Sequence, residues 1–572
     1  MVLIIASWVA LILLFMGVGL LGRKAFGLPV RRAEDLLYVF WLGWAAQIAF
    51  LQVFQLGFRI GPAAVLIVTA GGIAGWLLYR KEMVELARAG MRGNWPLLVA
   101  AGGIAALVST EAMRPIQGSD TPAYHLPTVV WLRSFPIVPG LGNLEPRLAF
   151  NNAYFLYAAL LDFGPFHNNS YQLANGLLLM ALILLCLVGI RRILPGPGKA
   201  TPGDLFLALF LGPSLALMNN DRFPSLSPDV GLFPLGVVLC SQVIRFLSEP
   251  GEKSETNYQV FWISLLAAAG MAAKQSFVGF GLAAIFLTVV VWGVRSRPQA
   301  KIFRFGSLAI PLLAAAAVLL PWEARTIMVS GYLGYPTTFG PLAVDWRMPL
   351  PLVQHEQNWI QARARNPDVL PDTITLGGDW LPTWLQKLPN SITAPLQVSA
   401  LLALVALATL DLRRRTNRRR TLWLFLLLPL AGLTFWFLTA PAYRFAQASF
   451  WILMVGLAVL VAESVLALEE QHRALLVVIA VLIALWVSPF SHPFVTQPRY
   501  LLLPPNNVRE PPFSTLTTDS GLSVHKPSEG ECWSIPIPCT DEFHRSLELR
   551  NPGDLSSGFR VHPGAVDNWP VQ

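Results

Sequence analysis

Asp120, Tyr124 and His125 fall within the stretch SDTPAYHLP, which follows directly on an apolar run in a very apolar chain. A carboxylate, a phenol and an imidazole at this spacing hold the groups needed to take, give or orient a proton at a reacting hydroxyl. The polar stretch continues into LGNLEPRLAFNN, where Asn143, Arg147 and Asn151 add groups suited to a polar substrate. Lys274, Arg325 and Arg444 each stand at the edge of an apolar run. Cations at that depth suit a lipid phosphate, and a guanidinium matches phosphate geometry in particular. Asp229 opens a further run after Ser227 and Pro228. Plainer roles stand beside these. Asp120 can form a turn with Ser119 and Pro122, and His125 can satisfy a backbone carbonyl. Arg147 can pair with Glu145 or Asp120, Lys274 can snorkel to the interface, and Asp229 can be a charge beside a helix start.

The elements that must position these groups are membrane helices. The chain is 54% hydrophobic and 13% charged, and apolar runs long enough to cross a bilayer recur along it. An all-α polytopic membrane protein is expected, with about 14 transmembrane helices. The runs are 1–21, 36–57, 61–79, 95–112, 170–190, 204–219, 229–248, 258–273, 277–294, 305–320, 396–411, 421–439, 446–467 and 473–490. The transmembrane domain therefore spans residues 1–490, followed by a small non-membrane region, 491–572.

Lys and Arg fix the orientation, because cytoplasmic loops retain positive charge during insertion. Nothing basic precedes the first run, whereas Arg23, Lys24, Arg31 and Arg32 follow it. The N-terminus is then outside, and alternation sends the clusters at 80–92, 191–199, 295–304 and 413–420 inside. Three polar regions are left outside: the loop 113–170, the loop 323–395 and the C-terminal tail. The net charge of +9 is thereby topology, and no nucleic-acid partner is expected.

The tail contains short extended-looking pieces such as GLSVHK and SLELR, which suggest a small β-containing appendage on the outer loops. Cys532 and Cys539 lie in it as ECWSIPIPC, in a compartment that favours disulfides. A bond between them, or two free thiols, fits the spacing; a metal site lacks a second Cys/His pair.

Several of these stretches resemble bacterial glycosyltransferases of the GT-C superfamily. The first outer loop, SDTPAYHLPTVVWLRSFPIVPGLGNLEPRLAFNN, is similar to that of a subgroup with a D-x-x-x-Y-H-L-P signature. SPDVGLF, AAAGMAAKQS, PWEARTIMVSGYLGYP, PAYRFAQAS and the tail's CW-x-x-P-x-P-C resemble further elements of that group, except that Thr326 stands where the pattern commonly has Asn. The resemblance implies a GT-C-like fold in the bacterial inner membrane, with its active site facing outward. It implies inverting transfer of a sugar from a polyprenyl-phosphate carrier to a lipid, glycan or protein acceptor. Asp120 would be the catalytic carboxylate, assisted by His125, and Lys274, Arg325 and Arg444 would hold the donor phosphate. Tyr124, Asn143, Arg147, Asn151 and Asp229 would line the substrate site. The residues establish no cofactor, and a divalent cation stays open because GT-C enzymes divide on it. Two other classes use many helices and lipid-linked saccharides. A flippase or transporter would carry charge within the bilayer, and an O-antigen-type ligase or polymerase would leave the rich first loop without a purpose.

Overall fold

A backbone crossing lipid must satisfy its own N–H and C=O groups, so the apolar runs fold as helices. The computed structural model describes residues 1–90, 95–194, 200–248, 252–296, 305–366, 380–388, 396–404, 421–464 and 498–561. Among them, eight helices are long and apolar enough to cross a membrane. A ninth crossing would come from α3 (Pro62–Leu78) and α4 (Arg80–Gly90), which are bent by 68° at Tyr79. The expected run 473–490 and residues 405–411 of the run 396–411 lie outside the described residues.

The first three helices, α1 (Val2–Ala25), α2 (Ala33–Gly57) and α3, pack through glycines. A Cβ on Gly75 would lie 1.8 Å from the Gly17 carbonyl oxygen, and one on Gly43 would lie 1.8 Å from that of Phe15. Only a residue without a side chain lets these backbones approach so closely, and lipid-embedded helices gain their contact in this way. Next come α5 (Trp95–Ala112), α8 (Tyr171–Ile193), α9 (Pro202–Leu209), α10 (Leu211–Ala216) and α11 (Pro228–Ser248). The expected run 204–219 falls within one of these crossings, Pro202–Asn219, which is built of two short helices interrupted at Phe210 and a final 3₁₀ turn. The apolar window of α11 is 94% buried and that of α14 (Phe305–Ser330) 28%, so α11 is an interior helix and α14 faces outward. Between them come α12 (Lys253–Ala273) and α13 (Val278–Ser296).

Helix α14 corrects one boundary. Pro321 reads as the end of a run at 320, yet the helix passes through Pro311 and Pro321 to Ser330. Glu323 and Arg325 therefore stand on the helix itself and do not open a loop at 323. Proline is tolerated there because neighbouring groups in a bundle re-satisfy the freed backbone.

The first loop is not an open connector. It holds α6 (Leu126–Ser134) and α7 (Tyr154–Leu161), and every residue of α7 is buried. The second carries α15 (Leu350–Arg365) and α16 (Trp380–Gln386). Two shorter apolar helices, α17 (Leu427–Thr439) and α18 (Gln447–Ser464), close the bundle.

The tail folds as two antiparallel hairpins, β1 (Phe513–Thr517) with β2 (Ser523–Pro527), and β3 (Leu547–Leu549) with β4 (Phe559–Val561). Cys532 and Cys539 are joined in a disulfide. The tail docks on the first loop. Phe559 N–H donates to the Pro139 carbonyl at 2.9 Å. Gly558 takes φ +100° there, and a Cβ on it would lie 2.2 Å from that same oxygen. The N-terminal ammonium donates to the Tyr500 carbonyl at 2.7 Å and reaches Met113 Sδ at 3.4 Å. N-terminus, first loop and tail therefore share one end of the bundle. At the other end Arg23 pairs with Asp35, Arg192 with Glu34 and Asp204, and Arg295 donates to the Phe246 and Leu247 carbonyls.

Candidate functional site

Helix α5 ends at Ala112, and Asp120 caps a wide π turn, Thr121–His125, that leads into α6. Such turns are rare and re-aim side chains that a regular helix would stack. The turn is held from two sides. Thr121 Oγ1 accepts from Leu226 N–H at 3.3 Å, and the Pro122 carbonyl accepts from Trp533 N–H of the tail at 2.9 Å. Trp533 adopts φ +47°, a left-handed backbone unusual for a bulky residue.

Three other segments converge on Asp120. Arg444 lies in the 3₁₀ turn Tyr443–Phe445 between α17 and α18, Asp229 in the first turn of α11, and Lys274 just beyond α12. The charges alternate. Arg444 Nη1 meets Asp120 Oδ2 at 2.5 Å, Arg444 Nε lies 3.9 Å from Asp229 Oδ2, and Lys274 Nζ meets Asp229 Oδ1 at 2.5 Å. Both cations also lie over the Phe445 ring, at 4.4 Å for Lys274 and 5.0 Å for Arg444. Asp229 is 6% exposed, whereas Asp120 and Arg444 keep 30% and 29% of their side chains open. Burial pushes the Asp120 carboxyl up, but Arg444 and the neighbouring charges bring it down to about 2, so it is ionised at any ordinary pH. Burial lowers the Lys274 ammonium, against the pull of Asp229.

A pocket opens beside the cluster. Asp229, Arg444, Leu232, Phe277, Phe280 and Ser276 line it, and the buried Ser276 Oγ has no hydrogen-bond partner among the described residues. Charge at one wall and aromatic rings at the other make it amphipathic.

His125 lies inside the turn. It is 2% exposed, its Nδ1 shares a hydrogen bond with Thr121 Oγ1 at 3.0 Å, and its ring packs on Tyr124 and Phe155. Burial drives it down to about 3, so it is neutral and acts on the turn. Tyr124 is buried between Asp120 and the Phe150 ring. Arg325 does not join Lys274 and Arg444. It donates from Nε to Asn151 Oδ1 at 3.0 Å and from Nη1 to Gln55 Oε1. Asn151 Nδ2 in turn donates to Thr326 Oγ1 at 2.9 Å and the Trp322 carbonyl at 2.8 Å, which ties the first loop to α14. Asn143 Nδ2 donates to the Trp346 carbonyl at 2.8 Å and the Phe559 carbonyl at 3.2 Å, joining both loops to the tail. Arg147 pairs neither with Glu145 nor with Asp120. Its Nε lies 3.7 Å from Glu356 Oε1 and its guanidinium covers the Trp359 ring.

Phe445, Ser276 and Trp533 escaped the reading of the sequence. Phe445 had a signal in its place next to Arg444, and Trp533 one in its place next to Cys532. Among the described residues no three His, Cys, Asp or Glu side chains stand together as metal ligands. Asp120 and Asp229 are instead engaged by cations, so this donor set does not fit a divalent ion.

Residues 1–451 match the family model described as Domain of unknown function (DUF8201). No curated protein matches the chain. Among solved structures it is similar to the arabinosyltransferase EmbB from Mycobacterium smegmatis, determined by single-particle cryo-EM, at 15% identity and a TM-score of 0.37. The match covers 76% of this chain and 42% of that one, so the chain spans less than half of EmbB's length.

Proposed function

The chain belongs to the family described as Domain of unknown function (DUF8201), and on that premise we propose that it is an inverting glycosyltransferase of the GT-C kind. It moves a sugar from a polyprenyl-phosphate carrier to an acceptor hydroxyl at the outer face of the bacterial inner membrane. The observation that carries this reading is the alternation of Asp120, Arg444, Asp229 and Lys274 beside a cavity that is charged at one wall and aromatic at the other.

Without donor, each cation is matched by a carboxylate. A lipid-linked phosphate entering beside Phe277 and Phe280 meets Arg444, Lys274 and Ser276 Oγ, and competes with Asp120 for the Arg444 guanidinium. Asp120 loses the partner that holds its carboxyl near 2, and its basicity returns toward the ordinary carboxylate range. It then accepts the proton of the acceptor hydroxyl as that oxygen attacks the anomeric carbon. The bond from the anomeric carbon to the phosphate oxygen breaks on the opposite face, which inverts the centre. The departing phosphate keeps its electron pair under Arg444 and Lys274. Asp229 stays on Lys274 and holds it in place.

Purified protein incubated with a panel of polyprenyl-phosphate sugars should release free polyprenyl phosphate from one of them. Asp120→Asn should still bind that donor and lose transfer by a factor of about 10² to 10⁴. Arg444→Lys keeps the charge, loses the planar fork and should weaken donor use. Release at the wild-type rate by Asp120→Asn would remove the carboxylate from the chemistry and the reading with it.

A further inference from the structure

A second pocket lies between the first loop, α2 and α14, apart from the ion-paired cluster. Arg325, Gln55, Asn151, Asn152, Thr128 and Trp131 are among the residues that line it. Arg325 is 4% exposed, and no carboxylate among the described residues pairs with it. Its partners, Asn151 Oδ1 and Gln55 Oε1, are neutral amide oxygens that satisfy N–H groups and leave the positive charge uncompensated. A buried cation in this state is costly unless something supplies the counter-charge. Trp131 provides a separate sign. It is 2% exposed, it lines the cavity, and its indole Nε1, a group that can only donate, has no acceptor. An unmatched positive charge and an unmatched donor bordering one cavity ask for the same thing.

We infer that this cavity binds a carboxylate, with Arg325 as its counter-charge and Trp131 Nε1 as a hydrogen-bond donor. A singly charged planar group matches the single guanidinium, whereas a phosphate dianion would exchange one uncompensated charge for another. The carboxylate comes either as a free small acid or as the acidic group of a sugar ring such as a uronate. The site is separate from the donor cluster and does not rest on the transferase reading.

The test uses the full chain in detergent at constant ionic strength, followed by thermal unfolding with acetate, glucuronate, inorganic phosphate or glucose. Ligand binding to the folded state raises the transition temperature, and the stabilisation grows with the logarithm of free ligand concentration above the dissociation constant. Acetate or glucuronate should raise it, and glucose should not. A response to both acids identifies a free-acid site, and a response to glucuronate alone identifies an acidic sugar. Arg325→Met should fold, because it removes an uncompensated charge, and should abolish the response. Trp131→Phe keeps the ring, loses the N–H and should weaken the apparent affinity about tenfold, the worth of a hydrogen bond to a charged group. Asp120→Asn and Arg444→Lys should respond as the wild type does, so failure here and failure of the transferase reading are distinguishable. The inference is overturned if neither acid shifts the transition, if Arg325→Met responds like the wild type, or if phosphate alone gives a response that Arg325→Met loses.

Discussion

Asp229 shows how much a single carboxylate decides. It is 6% exposed and faces Lys274 at 2.5 Å and Arg444 at 3.9 Å, so it separates two cations that would otherwise confront each other. Asp229→Asn leaves a largely buried ammonium without its partner, a change that typically costs about 3–5 kcal/mol. Thermal unfolding in detergent should show that loss, and adding Lys274→Met should restore part of it by removing the stranded charge. A double variant no more stable than Asp229→Asn alone would deny the pairing its structural weight. At this scale much of the cluster was legible. Asp120, Lys274 and Arg444 stood out singly because a charge at the edge of an apolar run needs a reason. Their grouping was not legible, since it depends on where four distant segments end in space. Arg325 was drawn into the set because it too stands at the edge of an apolar run. The bracing contacts of Asn143, Arg147 and Asn151 were not legible, because a polar group that braces a loop and one that faces a ligand are written with the same residue types.

Helix crossings carry the next level. The approach of α3 to α1 at Gly75 and Gly17 allows no Cβ at all, whereas Gly102 and Gly103 on α5 have nothing within 4 Å of one. Gly75→Leu should therefore push the two helices apart and cost about 3 kcal/mol, while Gly103→Leu should be neutral. Thermal unfolding of the two variants side by side tests this, and equal stabilities would contradict the packing. The apolar runs forecast most of these helices because hydropathy measures what the bilayer requires. They could not forecast the burial of α7 or the break after Leu209. Both depend on what the segment packs against, and a short apolar piece reads the same in lipid as in a protein core.

Across the molecule, the two loops and the tail meet around buried carboxylates. Glu145 of the first loop accepts from Thr540 of the tail at 2.9 Å, and Glu356 of α15 faces Arg147, with Glu542 of the tail nearby. Burial, reinforced by Glu542, raises Glu145 well above the usual carboxylate range. Burial likewise pushes Glu356 up to about 7, against the pull of Arg147. A carboxyl whose pKa is raised on folding stabilises the protein below its unfolded value and loses that contribution as pH rises through the folded one. The stability of the loop end should thus fall between about pH 4.3 and pH 7 or above. Glu356→Gln should flatten that slope, as unfolding midpoints measured across the range can show, and an unchanged slope would assign the pH dependence to other groups. The hold of Trp533 on Pro122 and of Phe559 on Pro139 has a consequence in time as well as in space. Both residues are synthesised after every described α-helix, so the bundle can insert with all four charges of the cluster already present while the turn bearing Asp120 lacks its last brace. Synthesis and docking of this tail would then set the moment at which that turn is fixed.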